Sequence, residues 1–166
     1  MPTKRRYSLK TKEAKRLLEE ASKTLKMDLE GLFGAKANVE VVESDVGEIF
    51  LIGAKPVLFK SGDQILPTLL FSEFTSKAPK IVVDMGAVPY VCKGADVMAP
   101  GIVRVEGEFG KGDLVLVSDM KFGKALALGE SLMDSETAKA TKKGPVVKTL
   151  HFVSDKIWDY IKTLTE

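Results

Sequence analysis

The stretch VCKGADVMAPGIV, residues 91–103, decides how the second half of the chain folds. Gly94 follows a short helix-compatible segment, and the pair Pro100-Gly101 comes just before a β-branched run. A glycine at the end of a helix accommodates the left-handed cap conformation, and a Pro-Gly pair turns the chain. One lysine and one aspartate are the only charged residues of the stretch. It therefore predicts a shaped loop between a helix and a strand, and not a reactive centre.

Composition limits the possible classes of protein. The 166 residues are 45% hydrophobic and 29% charged, and they are enough for one ordinary domain or two small ones. The net charge of +2 means that a nucleic acid would have to bind at a local basic patch. A single cysteine excludes an internal disulfide and is typical of a reducing compartment. No apolar run approaches the roughly 18 residues of a membrane span. We expect a cytoplasmic protein with no membrane partner.

The first half of the sequence predicts one helix and a small set of strands. Residues 11–25 place Ala14, Leu17, Leu18, Ala21 and Leu25 on one helical face, with Ser8 or Thr11 as candidate N-caps. Strands are predicted for residues 37–43, 48–53 and 56–60, and a further helix is predicted to start at Pro67. The small and polar residues around Pro79 suggest a boundary, which predicts domains at residues 1–78 and 79–166.

The second half is dominated by strands. Short helices are predicted at residues 87–93 and 134–140, and Ser154 is the candidate cap of a last helix, residues 156–164. The predicted strands are residues 81–84, 102–106, 114–120, 125–133 and 146–152. Many short strands with little helix between them favour a small closed or half-closed barrel.

A family resemblance follows from the order of these segments. VVDMGAVPYV, KGADVMAPGIV, GDLVLV, ALALGESLM and GPVVKTLHFVSDKIW succeed one another within residues 80–160. This order resembles the PUA domain, an RNA-binding pseudobarrel. The spacing of His151, Asp155 and Trp158 and the segment LFKSGDQILPTLLF are similar to the malignant-T-cell-amplified-sequence family of translation proteins. The resemblance implies an α+β protein, with a small N-terminal α/β domain followed by a C-terminal PUA β-pseudobarrel.

The resemblance also implies where RNA binds, namely at the wall formed by the first PUA helix and the loop after it. Backbone N–H groups near Ala99 and Gly101 are expected to donate to phosphates or unstacked bases. The expected RNA contacts lie in the loop, the next strand and the last strand: Lys93, Gly94, Ala95, Met98, Ala99, Pro100, Gly101, Arg104, Lys148 and His151. For each of these residues a turn glycine or a solvated charge is the alternative.

The basic N-terminus carries seven Lys or Arg residues among its first sixteen. It is either a second phosphate contact or a disordered solubilising tail. Catalysis finds little support, because a lone histidine cannot build a metal cluster and neither CxxC nor HExxH occurs. Cys92 is predicted to be a small core residue. We therefore expect no enzyme activity, no metal and no cofactor.

The function implied by the resemblance is non-catalytic binding of structured RNA in translation. The structured RNA would be tRNA or rRNA, and the protein would bind the small ribosomal subunit or tRNA during initiation, reinitiation or recycling. A protein partner with an initiation-factor-like domain belongs to the same expectation. Two alternatives stay open: an accessory module that presents RNA to a separate transglycosylase or pseudouridine synthase, and a module that binds only proteins.

Overall fold

The computed structural model describes residues 3–165 and divides them into two units. One unit runs to Phe74 and also contains the segment that begins at Asp159, and the other is Thr75–Trp158. In the described part of the chain, no helix is long and apolar enough to cross a membrane. The boundary predicted between residues 78 and 79 stays a prediction about how fragments would fold.

The first unit is built on a five-stranded antiparallel sheet whose strand order follows the chain. Its strands are β1 (Thr3–Ser8), β2 (Val39–Ser44), β3 (Gly47–Ile52), β4 (Lys55–Ser61) and β5 (Gln64–Pro67). Its helices are α1 (Thr11–Leu25), α2 (Leu29–Phe33) and α3 (Ser72–Thr75).

Helix α1 packs against β5 through the face that the sequence predicts. The buried residues of the helix are Ala14, Leu17, Leu18, Ala21 and Leu25. This spacing of three and four residues is the period of one helical face, so the prediction is confirmed. The predicted caps are wrong, because the helix is preceded by Lys10, which makes no side-chain capping bond.

From Thr3 onward, the basic N-terminus forms an edge strand and then the start of α1, so this described part is not a disordered tail. Strand β1 pairs with β2 from Thr3 to Ser8. The guanidinium of Arg6 lies 2.8 Å from the Glu40 carboxylate, and the ammonium of Lys4 lies 2.8 Å from Asp45. Charged side chains on an edge strand discourage pairing with a further chain.

The helix predicted to start at Pro67 is also wrong. Pro67 ends β5, and the hydroxyl of the buried Thr68 donates to the carbonyl of Pro56 at 2.7 Å. This bond and a backbone bond from Thr68 to Val57 at 2.9 Å hold the segment against β4. A helix begins only at Ser72.

The second unit contains a six-stranded sheet in the order β7-β11-β10-β9-β6-β8. Its strands are β6 (Lys80–Val83), β7 (Val97–Met98), β8 (Ile102–Glu106), β9 (Leu114–Asp119), β10 (Ala125–Ser131) and β11 (Pro145–Phe152). Only β6 and β9 among these neighbours pair in parallel. Its helices are α4 (Val88–Val91) and α5 (Ser135–Ala140). The last helix, α6 (Lys156–Thr163), begins in this unit, and its residues from Asp159 onward belong to the first unit. The predicted α+β class is confirmed.

One apolar core fills the second unit. Fully buried branched residues come from four strands: Ile81, Val83, Val97, Val115, Val117, Val146 and Val147. Val91 of α4 joins them, and Cys92 packs half-buried against the same core, as predicted from the sequence. The end of α4 is therefore fixed on the sheet, and so is the start of the loop that follows it.

Candidate nucleic-acid interface

Gly94 marks the point where the chain leaves α4, and it has the left-handed conformation that the sequence predicts. Its φ is +93°, and its N–H donates to the carbonyl of Val91 at 3.0 Å. A Cβ at this position would lie 2.9 Å from Cε1 of Phe152. Glycine is therefore required by the backbone angle and by the ring of Phe152. The close approach that glycine permits at this position is that of the Phe152 ring in the same unit.

The loop after Gly94 is tied to strand β11. The hydroxyl of Thr149 donates to the carbonyl of Ala95 at 2.9 Å, and its N–H donates to the Asp96 carboxylate at 3.2 Å. Val97 of β7 is then the register partner of Val147 on β11. These bonds hold the loop beside the last strand, so its exposed residues form a preorganised surface.

A cleft of about 400 Å³ lies between α4, this loop and the short 3-10 turn Ala99–Gly101. Its lining is largely apolar: Asp84, Gly86, Ala87, Tyr90, Val91, Ala95, Asp96, Val97, Met98, Pro100 and Gly101. Tyr90 is 67% exposed and Met98 is 49% exposed. The cleft thus offers an aromatic ring and apolar walls to a flat group such as a nucleobase.

Several lysines lie near this cleft. Lys93 is exposed at the end of α4, and Lys148 is exposed on β11. Lys142 and Lys143 are exposed in the turn before β11, where the carbonyl of the next residue, Gly144, accepts from the N–H of Ala99 at 2.9 Å. That bond brings the Lys-Lys turn to the 3-10 turn at the rim of the cleft.

The residues of the 3-10 turn differ in whether they are available to contact RNA. Pro100 is exposed, whereas Ala99 is buried and its N–H is bonded to Gly144. The carbonyl of Gly101 accepts from the N–H of Asp84 at 2.9 Å, which ties the turn to the end of β6. The expectation that Ala99 donates its N–H to RNA is therefore wrong.

Arg104 lies in a different groove from the cleft. It projects from β8, and its Nε lies 2.5 Å from the carboxylate of Glu106. The groove that it lines is shared with Ala138, Lys139 and Thr141 at helix α5. The structure therefore does not bring Arg104 together with Tyr90 at the loop.

His151 is fully buried, which removes it from the predicted set of RNA contacts. Its Nδ1 lies 2.7 Å from a carboxylate oxygen of Asp155. Asp155 also accepts from the N–H groups of Phe152 at 2.9 Å and Trp158 at 2.6 Å. Burial acts to raise the pKa of Asp155, but the contact with His151 and these N–H groups together hold it below its usual value.

The same geometry corrects the predicted cap of α6. Asp155 accepts from the N–H of Trp158 in the first turn of the helix, so Asp155 is the capping side chain. Ser154 has a φ of +83°, and its hydroxyl donates to the carbonyl of Cys92 at 3.0 Å. The His-Asp-Trp spacing seen in the sequence is thus a helix-capping arrangement around a buried histidine.

Among the cleft residues that sequence reasoning missed, three have aromatic or charged side chains. Tyr90 supplies its exposed ring, and Asp84 and Asp96 supply carboxylates to its wall. One oxygen of Asp84 accepts from the N–H of Ala87 at 2.9 Å, which orders the turn into α4. An aromatic residue directly after Pro89 in a four-residue helix was the available signal, since so short a helix cannot bury every side chain.

Comparisons with known proteins agree with this architecture. Residues 79–153 match the model of the PUA domain, and residues 5–72 match a domain of unknown function, DUF1947. The chain is 35% identical over 161 residues to the uncharacterized protein MJ1432 of Methanocaldococcus jannaschii, covering 96% of this chain and 99% of that protein.

Two further comparisons extend the similarity. Translation machinery-associated protein 20 of Saccharomyces cerevisiae is 26% identical over 140 residues, which cover 80% of this chain and 77% of that protein. A crystal structure of a PUA domain from Aeropyrum pernix K1 superposes with a TM-score of 0.85 at 27% identity, covering 98% of this chain and 94% of that chain. The similarity therefore spans both units of the protein.

Proposed function

We propose that this chain is a non-catalytic RNA-binding protein that acts in translation. The chain belongs to the family of PUA-domain proteins that includes MJ1432 and Translation machinery-associated protein 20, and this membership supports the proposal. The cleft beside α4 is the RNA site in this proposal. The observation that carries it is the exposed ring of Tyr90 above apolar walls, with lysines at the rim.

The chemistry of single-stranded RNA fits this surface. A base that is not stacked in a helix has two apolar faces, and stacking on an aromatic side chain stabilises it. The cleft holds about 400 Å³, which admits one base. Lys93 and Lys148 supply positive charge for the adjoining phosphates. Binding of single-stranded RNA needs an aromatic ring for a base and positive charges for the neighbouring phosphates, and this surface has both.

The finer role that we propose is binding to tRNA or to the small ribosomal subunit during initiation, reinitiation or recycling. The association of Translation machinery-associated protein 20 with the translation machinery supports this role. An initiation-factor-like protein is the proposed partner, and the cytoplasm is the proposed location. Asp84 and Asp96 at the cleft wall accept hydrogen bonds from the protein, which suits positioning and not group transfer.

The test of the site uses fluorescence anisotropy with a labelled single-stranded RNA and the full chain. Tyr90→Ala removes the ring and is expected to weaken binding by roughly 5- to 150-fold, the range for one stacked base. Tyr90→Phe keeps the ring and is the matched control, with an affinity within about twofold of wild type. Equal affinities for Tyr90→Ala and wild type would refute the cleft as the RNA site.

A second experiment separates the proposed role from its alternatives. Purified small subunits and tRNA are each offered to the full chain, by co-sedimentation and by pull-down. Association with small subunits that is lost in Tyr90→Ala supports the translation role. Binding to tRNA alone, together with a pseudouridine synthase, would instead favour an accessory of RNA modification. Association with small subunits that survives removal of the ring would favour a surface that binds proteins.

A further inference from the structure

The turn Met120–Lys124 between β9 and β10 presents an aromatic side chain to solvent. Phe122 is 72% exposed, and Met120 beside it is 46% exposed. The ammonium of Lys121 lies 5.2 Å from the centre of the Phe122 ring. Lys124 follows two residues later and is exposed. An aromatic ring between two lysines is the side-chain combination that binds single-stranded nucleic acid.

The turn is rigid, so the exposure of the ring is built into the fold. Asp119 is 3% exposed, and its carboxylate accepts from the N–H groups of Lys121 at 3.0 Å, Phe122, and Lys124 at 3.0 Å. These bonds hold the pKa of Asp119 below its usual value. Gly123 completes the turn with a φ of +65°. A side chain held outward in this way contributes nothing to the core.

The turn lies next to the end of α4, where the proposed RNA cleft ends. The N–H of Val153 donates to the carbonyl of Leu126 at 2.8 Å, and the hydroxyl of Ser154 donates to the carbonyl of Cys92 at 3.0 Å. These two bonds connect the start of β10 to the last residues of α4. Burial raises the pKa of the Cys92 thiol, and the nearby ammonium of Lys124 opposes this rise.

RNA-compatible groups therefore lie on both of the segments that these bonds connect, and we call them a row. They are the exposed ring of Tyr90 and Lys93 at the end of α4, and Lys124 and Phe122 in the turn. In the described part of the chain, no salt bridge neutralises the lysines of the turn. Their charge remains available to phosphates.

We propose that Phe122 is a second base-stacking position on the same RNA strand, with Lys124 binding the phosphate between the two positions. This inference rests on the proposed RNA site at Tyr90 and extends it to a longer single-stranded segment. The apolar and basic character of the turn favours RNA over an acidic peptide, because the turn is connected to the end of α4, beside the proposed RNA cleft. A strand of RNA is expected to cross the end of α4.

The test measures anisotropy of the full chain with two single-stranded RNAs, of about four and about twelve nucleotides. Phe122→Ala is expected to weaken binding of the longer RNA by roughly 5- to 150-fold and to leave the shorter one, which fills only the cleft, unchanged. Phe122→Trp keeps a flat ring and is expected to bind as wild type. Phe122→Leu keeps the apolar surface without a ring and should behave as Phe122→Ala.

The outcomes distinguish the two proposals. If Tyr90→Ala weakens both RNAs and Phe122→Ala weakens neither, the row ends at Lys93 and this inference is overturned, while the cleft stands. Wild-type affinity of Phe122→Leu for the longer RNA would point to a protein-type apolar contact and would also overturn it. If wild type binds neither RNA, both proposals fail. Thermal unfolding of each variant at the wild-type temperature confirms that the fold is intact.

Discussion

Replacing Asp155 by alanine tests the buried arrangement at the start of α6. The carboxylate of Asp155 caps the helix through the N–H of Trp158 at 2.6 Å and holds the ring of the fully buried His151 at 2.7 Å. Loss of a helix cap costs about 1 kcal/mol. A buried polar group left without its partner costs about 1–3 kcal/mol more. Asp155→Ala is therefore expected to lower the free energy of unfolding by about 2–4 kcal/mol.

Asp134→Ala is the matched control, because Asp134 caps α5 in the same unit without a buried partner. Its carboxylate accepts from the N–H of Thr137 at 2.7 Å, at an exposed position. We expect a loss of about 1 kcal/mol for this variant. Urea denaturation followed by circular dichroism and by the fluorescence of Trp158, the single tryptophan, gives both values. Equal losses for the two variants would refute the assigned role of His151.

The same carboxylate predicts a dependence on pH. The pKa of Asp155 in the folded protein lies below its usual 3.8. A lowered pKa stabilises the fold above the unfolded value, and that stabilisation is lost as the pH falls through the folded value. The difference in stability between wild type and Asp155→Ala should therefore shrink as the pH falls through the folded pKa of Asp155. A difference that grows with acid would contradict this.

Two further predictions concern the loop and its charges. Gly94→Val should lower the free energy of unfolding by about 1–3 kcal/mol and weaken RNA binding, whereas Gly112→Val, at φ +88° with open space around it, should leave RNA affinity unchanged. Equal RNA affinities of the two glycine variants would count against the loop. Lys93→Ala and Lys148→Ala should each reduce the salt dependence of RNA affinity by about 0.7 in log K against log[salt]. Lys12→Ala, on α1, is the control, and an equal effect there would move the binding surface to the first unit.

The parts of the fold that were predicted correctly have their cause in local sequence. Helix α1 buries the five residues that its apolar period selects, and Gly94 has the left-handed angle expected after a short helix. In both cases the determinant lies within a few residues of its effect. Apolar periodicity and helix capping depend on residues only a few positions apart, so both can be predicted without knowledge of tertiary contacts.

The errors come from contacts between distant residues. Strand β1 carries polar residues that show no apolar alternation, and it is held by pairing with β2 and by the bond between Arg6 and Glu40. Thr68 turns the chain away from a helix because its hydroxyl reaches Pro56. Neither partner is adjacent in sequence, so propensity alone favoured the wrong conformation.

The site was predicted in part for the same reason. The loop from Ala95 to Gly101 was identified, and it lines the cleft together with Tyr90, whose exposure depends on what α4 can bury. His151 was assigned to the RNA surface from the family resemblance. It lies four residues after the buried Val147 on β11, so the two-residue alternation of a strand already places it on the buried side, opposite to the exposed Lys148.

The two sheets are expected to form at different stages as the chain is synthesised. In the first, each strand pairs with the next along the chain, and the pairings from β2 to β5 need only short turns to close, so they can form during synthesis. In the second, β7 pairs with β11, and β6 pairs with β9, so this sheet waits for distant segments. The first unit also needs a segment that is synthesised much later, because the hydroxyl of Thr3 is hydrogen-bonded to the hydroxyl of Tyr160 at 2.5 Å. Strand β1 is thus completed by a residue that follows Thr3 by 157 positions along the chain.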